Sequence, residues 1–508
     1  MTALDSSVVV GVNGAGAMGA GIAQVAAQAG HPVRLYDNRE GAAKTAIDGI
    51  ERQLQRLVEK GRFTAAEAAA TVQRLQPVAA LETLADCGFV IEVIVENLPV
   101  KQQLLAQLES ICAPGCILAS NTSSLSVTSL GAGRQHPERI VGMHFFNPAP
   151  VMKLVEVVSG LLTDPAVAAT VHDTAVRWGK KPVYTRSTPG FIVNRVARPF
   201  YAESLRLLQE QAADCATLDA LMRDAGGFRM GAFELTDLIG HDVNYAVTCS
   251  VFDAYYGDFR FQPSLIQKEL VDAGLLGRKS GRGFYSYADN AVKPEPRSVS
   301  VSGDTAPGCV ALGDCGLLSP LPTRLAAAGV MVSSEPSSDA GVLRIGSATL
   351  ALTDGRMACQ RAGEDGLTNL VLVDLALDYG KATRLAVSRA HNTSDEALQQ
   401  VVDCLARADI RVSELSDVPG LALMRTVAML ANEGADTVLH AVADEAGVDT
   451  AMCAGVNYPL GPLAWADRIG LPLVAQVLTQ LQQAYGEDRY RPSLLIRRLA
   501  AEGRNFHD

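Results

Sequence analysis

The segment that most limits what this chain can become is a glycine turn set between a β-branched run and a helix. Residues 8–12 (VVVGV) form an unbroken apolar stretch, the pattern of a strand buried on both faces of a parallel sheet. Asn13-Gly14-Ala15-Gly16-Ala17-Met18-Gly19 follows, giving G-x-G-x-x-G on Gly14, Gly16 and Gly19. Residues 20–29 then read as a helix ending at Gly30, and residues 32–36 as a second strand closing on Asp37. Gly14 permits the tight turn, Gly16 lets backbone approach a pyrophosphate, and Gly19 lets helix and strand pack closely. Asp37 can accept both hydroxyls of a ribose and would repel a 2′-phosphate, so NAD is expected rather than NADP. The glycine pattern alone is weak. Strand, turn, helix, strand and terminal acid within about thirty residues supply the context that makes it a dinucleotide site. Asn13 is unexpected where an apolar residue normally ends the strand, because its amide needs partners.

A second group of motifs lies downstream: SNTSS at residues 120–124, HFFNP at 144–148 and VMKLVEVV at 151–158. Residues 89–96 read as another strand, carrying Glu96 and Asn97 at its end and Lys101 one turn into the next helix. Residues 116–119, 139–145 and 151–158 read as three more strands. On the last, Met152, Leu154, Glu156 and Val158 share a face, so one carboxylate stands on an apolar surface. That is costly unless it is paired, and His144 is the natural partner. Two readings are open. In one, His144 is a general base that takes the proton of an alcohol as hydride leaves its carbon, Glu156 orients the ring, and Ser123 hydrogen-bonds the reacting oxygen. In the other, His144 and Glu156 are a core pair that only satisfies itself. The dinucleotide turn weighs for the first. On that reading, oxidation should gain as pH rises and His144 loses its proton.

The length of 508 residues predicts about three domains. With 48% hydrophobic and 19% charged residues, the chain can bury a large core and does not read as disordered. A net charge of -11 argues against nucleic acid or an anionic membrane as partner, while leaving room for a phosphorylated ligand at a helix N-terminus. The ten cysteines contain no CxxC pair, so reduced thiols and a cytoplasmic location are expected, with no metal site. No apolar run reaches the roughly 18 residues of a membrane span, and no secretory leader is read at the N-terminus.

The stretches VGVNGAGAMGAGIAQVAAQAG, FVIEVIVENLPVK, LASNTSSLSVTSL, GMHFFNPAPVMKLVEVVSG, TPGFIVNRV and MGAFELTDLIG together resemble the 3-hydroxyacyl-CoA dehydrogenase family from Val8 to about Gly283. The resemblance implies hydride transfer between NAD and C3 of an (S)-3-hydroxyacyl-CoA thioester, with Ser123, His144, Glu156 and Asn194 at the reaction. It implies Asn194 as a substrate-side hydrogen-bond donor, although by itself it reads equally as a polar residue early in a helix. It places Glu96 and Lys101 near the cofactor. Lys60 is a candidate for a CoA phosphate or a solvated helix-end lysine. Asn13, and Ala232 where proline is usual, depart from the pattern.

The implied fold is an α/β Rossmann-type NAD-binding domain plus a duplicated all-α C-terminal domain, with a small diverged α/β domain between the copies. Duplication is legible directly. Pro189/Pro419, Arg195/Arg425, Gly231/Gly461, Asp237/Asp467 and Gly240/Gly470 align 230 residues apart, and QPSLIQKEL matches RPSLLIRRL at 229. The expected limits are residues 1–187, 188–287, a linker at 288–322, the small domain at 323–417 and the second copy at 418–508. Asn194 becomes Met424 in the second copy, which cannot donate the same hydrogen bond. The copy is therefore expected to be structural and to pack on the first within one chain. The small domain has neither G-x-G-x-x-G nor a catalytic histidine, and His391 is assigned no chemistry. The two-copy organisation and residues 241–270 look most like a bacterial branch of the family that acts on 3-hydroxyadipyl-CoA in phenylacetate degradation. A dicarboxylic substrate needs a cation for its far carboxylate, for which Arg229 is a candidate. The competing readings are a short-chain 3-hydroxybutyryl-CoA enzyme, a dinucleotide-binding structural protein and a Rossmann oxidoreductase for free 3-hydroxy acids. The sequence leaves a homo-oligomer open.

Overall fold

The computed structural model describes residues 3–303, 307–337 and 341–508, which form two compact units. The first comprises residues 1–195 and 440–456, the second 196–439 and 457–508. Among the described residues no helix is long and apolar enough to cross a membrane.

The first unit is built on eight strands: β1 (Val10–Asn13), β2 (Val33–Tyr36), β3 (Leu75–Val78), β4 (Phe89–Glu92), β5 (Ile117–Ser120), β6 (Ile140–Phe145), β7 (Leu154–Ser159) and β8 (Lys181–Arg186). Their order is β3-β2-β1-β4-β5-β6-β7-β8, parallel throughout except where β7 runs antiparallel to β6. β1, β4, β5 and β6 are buried at every residue, which is why they read as unbroken apolar runs and not as alternations. The order reverses between β1 and β4, and a crevice at the carboxyl ends of strands opens at such a point. Helix Ala17–Gln28 packs against β1 and β2, burying Ile22, Ala23, Val25, Ala26 and Ala27. Helix Glu445–Val456 comes from late in the chain and covers β7 and β8. Its Gly455 meets Leu154 closely, and a Cβ there would lie 2.5 Å from Cδ2.

The second unit carries a seven-stranded sheet: β9 (Cys309–Leu312), β10 (Val332–Glu335), β11 (Val342–Ile345), β12 (Ala348–Leu352), β13 (Leu370–Val373), β14 (Arg384–Arg389) and β15 (Arg411–Glu414). The order is β10-β9-β11-β12-β13-β14-β15. Helix Cys215–Asp224, from the first helical copy, packs on β14. Helices Arg198–Gln209 and Leu423–Leu439, one from each copy, pack on each other. Buried Arg425 joins them through Glu203 Oε2 at 2.6 Å and Glu210 Oε2 at 2.9 Å.

The structure departs from the sequence reading in three places. The expected linker at 288–322 contains β9, an internal strand whose four residues are hidden among glycine, proline and serine. The amphipathic run from Phe191 divides into Val193–Val196 and Arg198–Gln209, with Pro199 in the first turn of the second, where its missing N–H is harmless. Most importantly, the repeat is not confined to the helices. β7/β14 and β8/β15 begin 230 residues apart, as do β6/β13. Left-handed backbone recurs at the same spacing, at Phe191/Leu421, Gln211/Ala441 and Gly240/Gly470. The small α/β domain is thus a second, reduced copy of the first sheet. Its apolar pattern survived while its motifs did not.

Candidate active site

The glycine turn is fixed by contacts that exclude any side chain at two of its positions. Gly14 has φ +115, and a Cβ there would sit 2.5 Å from the Val93 carbonyl oxygen. A Cβ on Gly19 would lie 1.8 Å from the Gly14 carbonyl oxygen. Gly16 differs, with nothing within 4 Å. It is the N-cap of helix Ala17–Gln28 and offers no side-chain cap, so the first-turn N–H groups remain available to an anion. Around the turn is a cavity of about 460 Å³ lined by Asn13, Gly14, Gly16, Asp37, Arg39 and residues of the loop after β4. Asn13 is buried, and its Nδ2 has no protein partner. The orphan amide, the open space at Gly16 and the uncapped helix all fit a dinucleotide.

Asp37 accepts the Ala15 N–H at 2.7 Å and Arg39 Nε at 2.9 Å. Arg39 is the main reason its carboxyl is lowered to about 2, with the Ala15 N–H helping against burial. Arg39 is 69% exposed, so a ribose can displace it.

Sequence reading carried β4 on to Glu96, but the strand ends at Glu92. Glu92 is the acid that reading missed. It is fully buried and pairs with Lys101 Nζ at 2.8 Å, while Ser120 Oγ also donates to it. The spacing Glu92…Lys101, strand end to first helical turn, was the available signal. Lys101 is thereby sequestered, and neither it nor Glu96 lines the dinucleotide cavity. Glu96 holds the SNTSS loop: it accepts Thr122 Oγ1 at 2.6 Å, the Ser123 N–H at 3.0 Å and Ser124 Oγ at 2.9 Å. Burial alone would raise Glu96, but Thr122, Lys101 and Ser124 together hold it below the usual range.

The structure pairs His144 with Glu156 and ties to them the backbone segments next to Ser123 and Asn194. His144 and Glu156 are direct cross-strand partners in the β6–β7 register. Nδ1 lies 2.6 Å from Glu156 Oε2, with His144 6% and Glu156 0% exposed. The other oxygen, Oε1, accepts the N–H groups of Ile192 and Val193 at 3.0 Å each. Glu156 thus fixes both the imidazole and the start of the helix that carries Asn194. Nε2 has no protein partner among the described residues. Phe146 and Phe191 flank the ring at centroid distances of 4.5 and 5.9 Å. Asn121 Oδ1 accepts the Phe145 N–H at 2.8 Å, tying the Ser123 loop to the end of β6. Lys180 clamps the turn between β6 and β7 through the carbonyls of Ala149 and Met152. Lys60 stands exposed at the end of helix Ala42–Glu59, away from the cavity lining. Arg229 is exposed as well.

At the position of His144 the second copy has Asp374, and at that of Glu156 it has Ala386. Asp374 accepts the N–H groups of Ala422, Leu423 and Met424 at 2.6–2.9 Å. The reduced copy anchors its helix with a carboxylate at the histidine's position, and has neither the imidazole nor an acid at the position of Glu156.

A dinucleotide cradle at a switch point, beside a buried His–Glu pair, defines a nicotinamide-dependent dehydrogenase. Family models agree in detail. The one described as "3-hydroxyacyl-CoA dehydrogenase, NAD binding domain" matches residues 9–188, and that for the C-terminal domain matches 190–287 and again 420–506. A third, "3-hydroxybutyryl-CoA dehydrogenase reduced Rossmann-fold domain", matches 350–419. The chain is 45% identical over 491 residues, 97% of each sequence, to the 3-hydroxyadipyl-CoA dehydrogenase of Escherichia coli K12. It is 41% identical over 278 residues, 55% of this chain and 96% of the other, to a probable 3-hydroxybutyryl-CoA dehydrogenase of Bacillus subtilis. Among solved structures it resembles a 3-hydroxybutyryl-CoA dehydrogenase from Escherichia coli K12 with a TM-score of 0.89 and 43% identity, covering 98% of this chain and 99% of that one. The chain belongs to the 3-hydroxyacyl-CoA dehydrogenase family and is an NAD-dependent enzyme of acyl-CoA thioesters.

Proposed function

We propose that the protein oxidises the 3-hydroxyl of (S)-3-hydroxyadipyl-CoA, with His144 as general base. The observation that carries the catalytic part is the buried Nδ1–Oε2 contact of 2.6 Å. A carboxylate on Nδ1 keeps the proton there, leaves Nε2 as the acceptor for the alcohol proton, and stabilises the imidazolium that results. Ser123 and Asn194 hydrogen-bond the reacting oxygen and the thioester side. Glu96 is a positioning residue for Ser123. NAD bound at the glycine turn supplies the hydride acceptor. Lys60 remains the candidate for a CoA phosphate. The lack of any disulfide among the ten cysteines supports a cytoplasmic setting.

The adipyl preference rests on similarity along the whole chain to a relative named for that substrate. The solved relative named for the butyryl thioester supports the second reading, a short-chain enzyme. Initial rates of NADH formation decide between them, compared as kcat/KM for (S)-3-hydroxyadipyl-CoA and (S)-3-hydroxybutyryl-CoA. A preference for the butyryl thioester refutes the adipyl assignment and leaves the mechanism standing. His144→Ala should bind NADH as the wild type does and lose about 10²–10⁴-fold in kcat. Retained turnover would refute His144 as the base.

A further inference from the structure

The second unit contains another cavity, of about 200 Å³, lined by residues given no role so far. Four arginines line it. Three have carboxylate partners: Arg206 with Glu487 at 3.0 Å, Arg489 with Glu487 at 3.3 Å, and Arg260 with Glu433 at 3.4 Å and with Asp436. Arg198 has none among the described residues. It is 6% exposed and donates from Nη1 to Thr248 Oγ1 at 3.0 Å. Its guanidinium lies 4.9 Å from the centre of the Tyr201 ring, and its Nε has no partner at all. Burial pushes its pKa down, which records how poorly the surroundings compensate the charge. A desolvated cation without a counter-charge is unfavourable, and a bound anion would relieve it.

The duplicated half serves as an internal control. At the same spacing of 230 residues Arg198 is replaced by Ala428 and Thr248 by Leu478, both fully buried. The helical fold therefore packs without this cation and without its hydroxyl partner. Both belong to the catalytic half alone, together with Asn194. The unpartnered edge of a planar guanidinium matches a carboxylate. The remaining lining includes Leu205, Phe261, Pro263 and Leu265, which suit methylene groups.

We propose that this cavity binds a carboxylate on Arg198 and Thr248, carried at one end of a short aliphatic chain. The source is a free aliphatic dicarboxylate acting as an effector.

The test titrates adipate, by calorimetry, into the wild type, Arg198→Met, Arg198→Lys and, as a control, Arg497→Met at an exposed arginine outside the cavity lining. The kcat/KM values for the adipyl and butyryl thioesters are measured on the same four proteins. Arg198→Met should weaken adipate by about tenfold or more, Arg198→Lys by less, and Arg497→Met not at all. A parallel loss in kcat/KM for the adipyl thioester alone would overturn the effector reading and identify the substrate as the source. Unchanged kinetics with both thioesters identify a free dicarboxylate. Should the wild type bind adipate through Arg198 yet fail to oxidise the adipyl thioester, the substrate reading falls and the cavity stands. The proposal is overturned if Arg198→Met binds adipate within about twofold of wild type. It is also overturned if the wild type binds none and the ratio of the two kcat/KM values does not respond to Arg198→Met.

Discussion

At the scale of single residues, Glu156 has two duties, one per oxygen: Oε2 on the imidazole and Oε1 on the helix of Asn194. Glu156→Gln separates them. The amide oxygen can still accept from Ile192 and Val193, but its NH₂ then faces Nδ1 and forces the proton onto Nε2, the wrong tautomer for a base. The melting temperature should stay close to wild type while kcat falls by about 10²–10⁴-fold; equal losses in both would mean the carboxylate acts only through the fold. Asp37 offers a test of cofactor choice. Asp37→Ser removes the charge that repels a 2′-phosphate and frees neighbouring Arg39 to receive one, so KM should rise for NAD and fall for NADP. The same aspartate has its carboxyl lowered to about 2, so whatever stability it contributes is present above the ordinary aspartate value of 3.8 and is lost as pH falls through about 2. In Arg39→Ala its titration, followed by NMR, should move up. His144 and Glu156 were legible because an acid on an apolar alternation demands a partner. Glu92 escaped because its partner Lys101 lies nine residues on, in a helix, and Glu96 offered an equally plausible acid at an imagined strand end.

At the scale of the element, the glycine turn contrasts two glycines that sequence treats alike. Gly19→Ala drives a methyl into the Gly14 carbonyl and should lower stability by at least about 3 kcal/mol in urea titrations, with NADH affinity lost as well. Gly16→Ala meets only open space and has φ −69, so stability should stay within about 0.5 kcal/mol while NADH binding weakens. If Gly16→Ala binds NADH normally, the space above Gly16 is not where the pyrophosphate lies. Strand β9 shows the limit of such reading. Four residues between Gly308 and Gly313 carry too little periodicity to register, and the strand exists because β10 and β11 supply its hydrogen bonds.

The whole molecule is a twice-written design in which one copy kept the chemistry. Each sheet is finished by a helix from the opposite helical copy, Glu445–Val456 on β7 and β8 and Cys215–Asp224 on β14. Arg425 links the two long helices of the second unit. Arg425→Met strands buried Glu203 and should cost about 3 kcal/mol in denaturant melts, the lower end of the usual range because Arg489 and Arg206 also attract Glu203. Adding Glu203→Gln should recover part of that loss. The sequence revealed the duplication of helices because proline, glycine and arginine mark their ends. It concealed the duplication of sheets, since almost any apolar residue serves in a buried strand. The late origin of helix Glu445–Val456 also has a consequence in time. Strands β7 and β8 leave the ribosome about 270 residues before the helix that covers them, a delay of roughly 15–50 s at ordinary rates of synthesis. For that interval the face of β7 and β8 that this helix covers in the finished fold has no such cover, so the catalytic half cannot complete its packing until nearly the whole chain has been made.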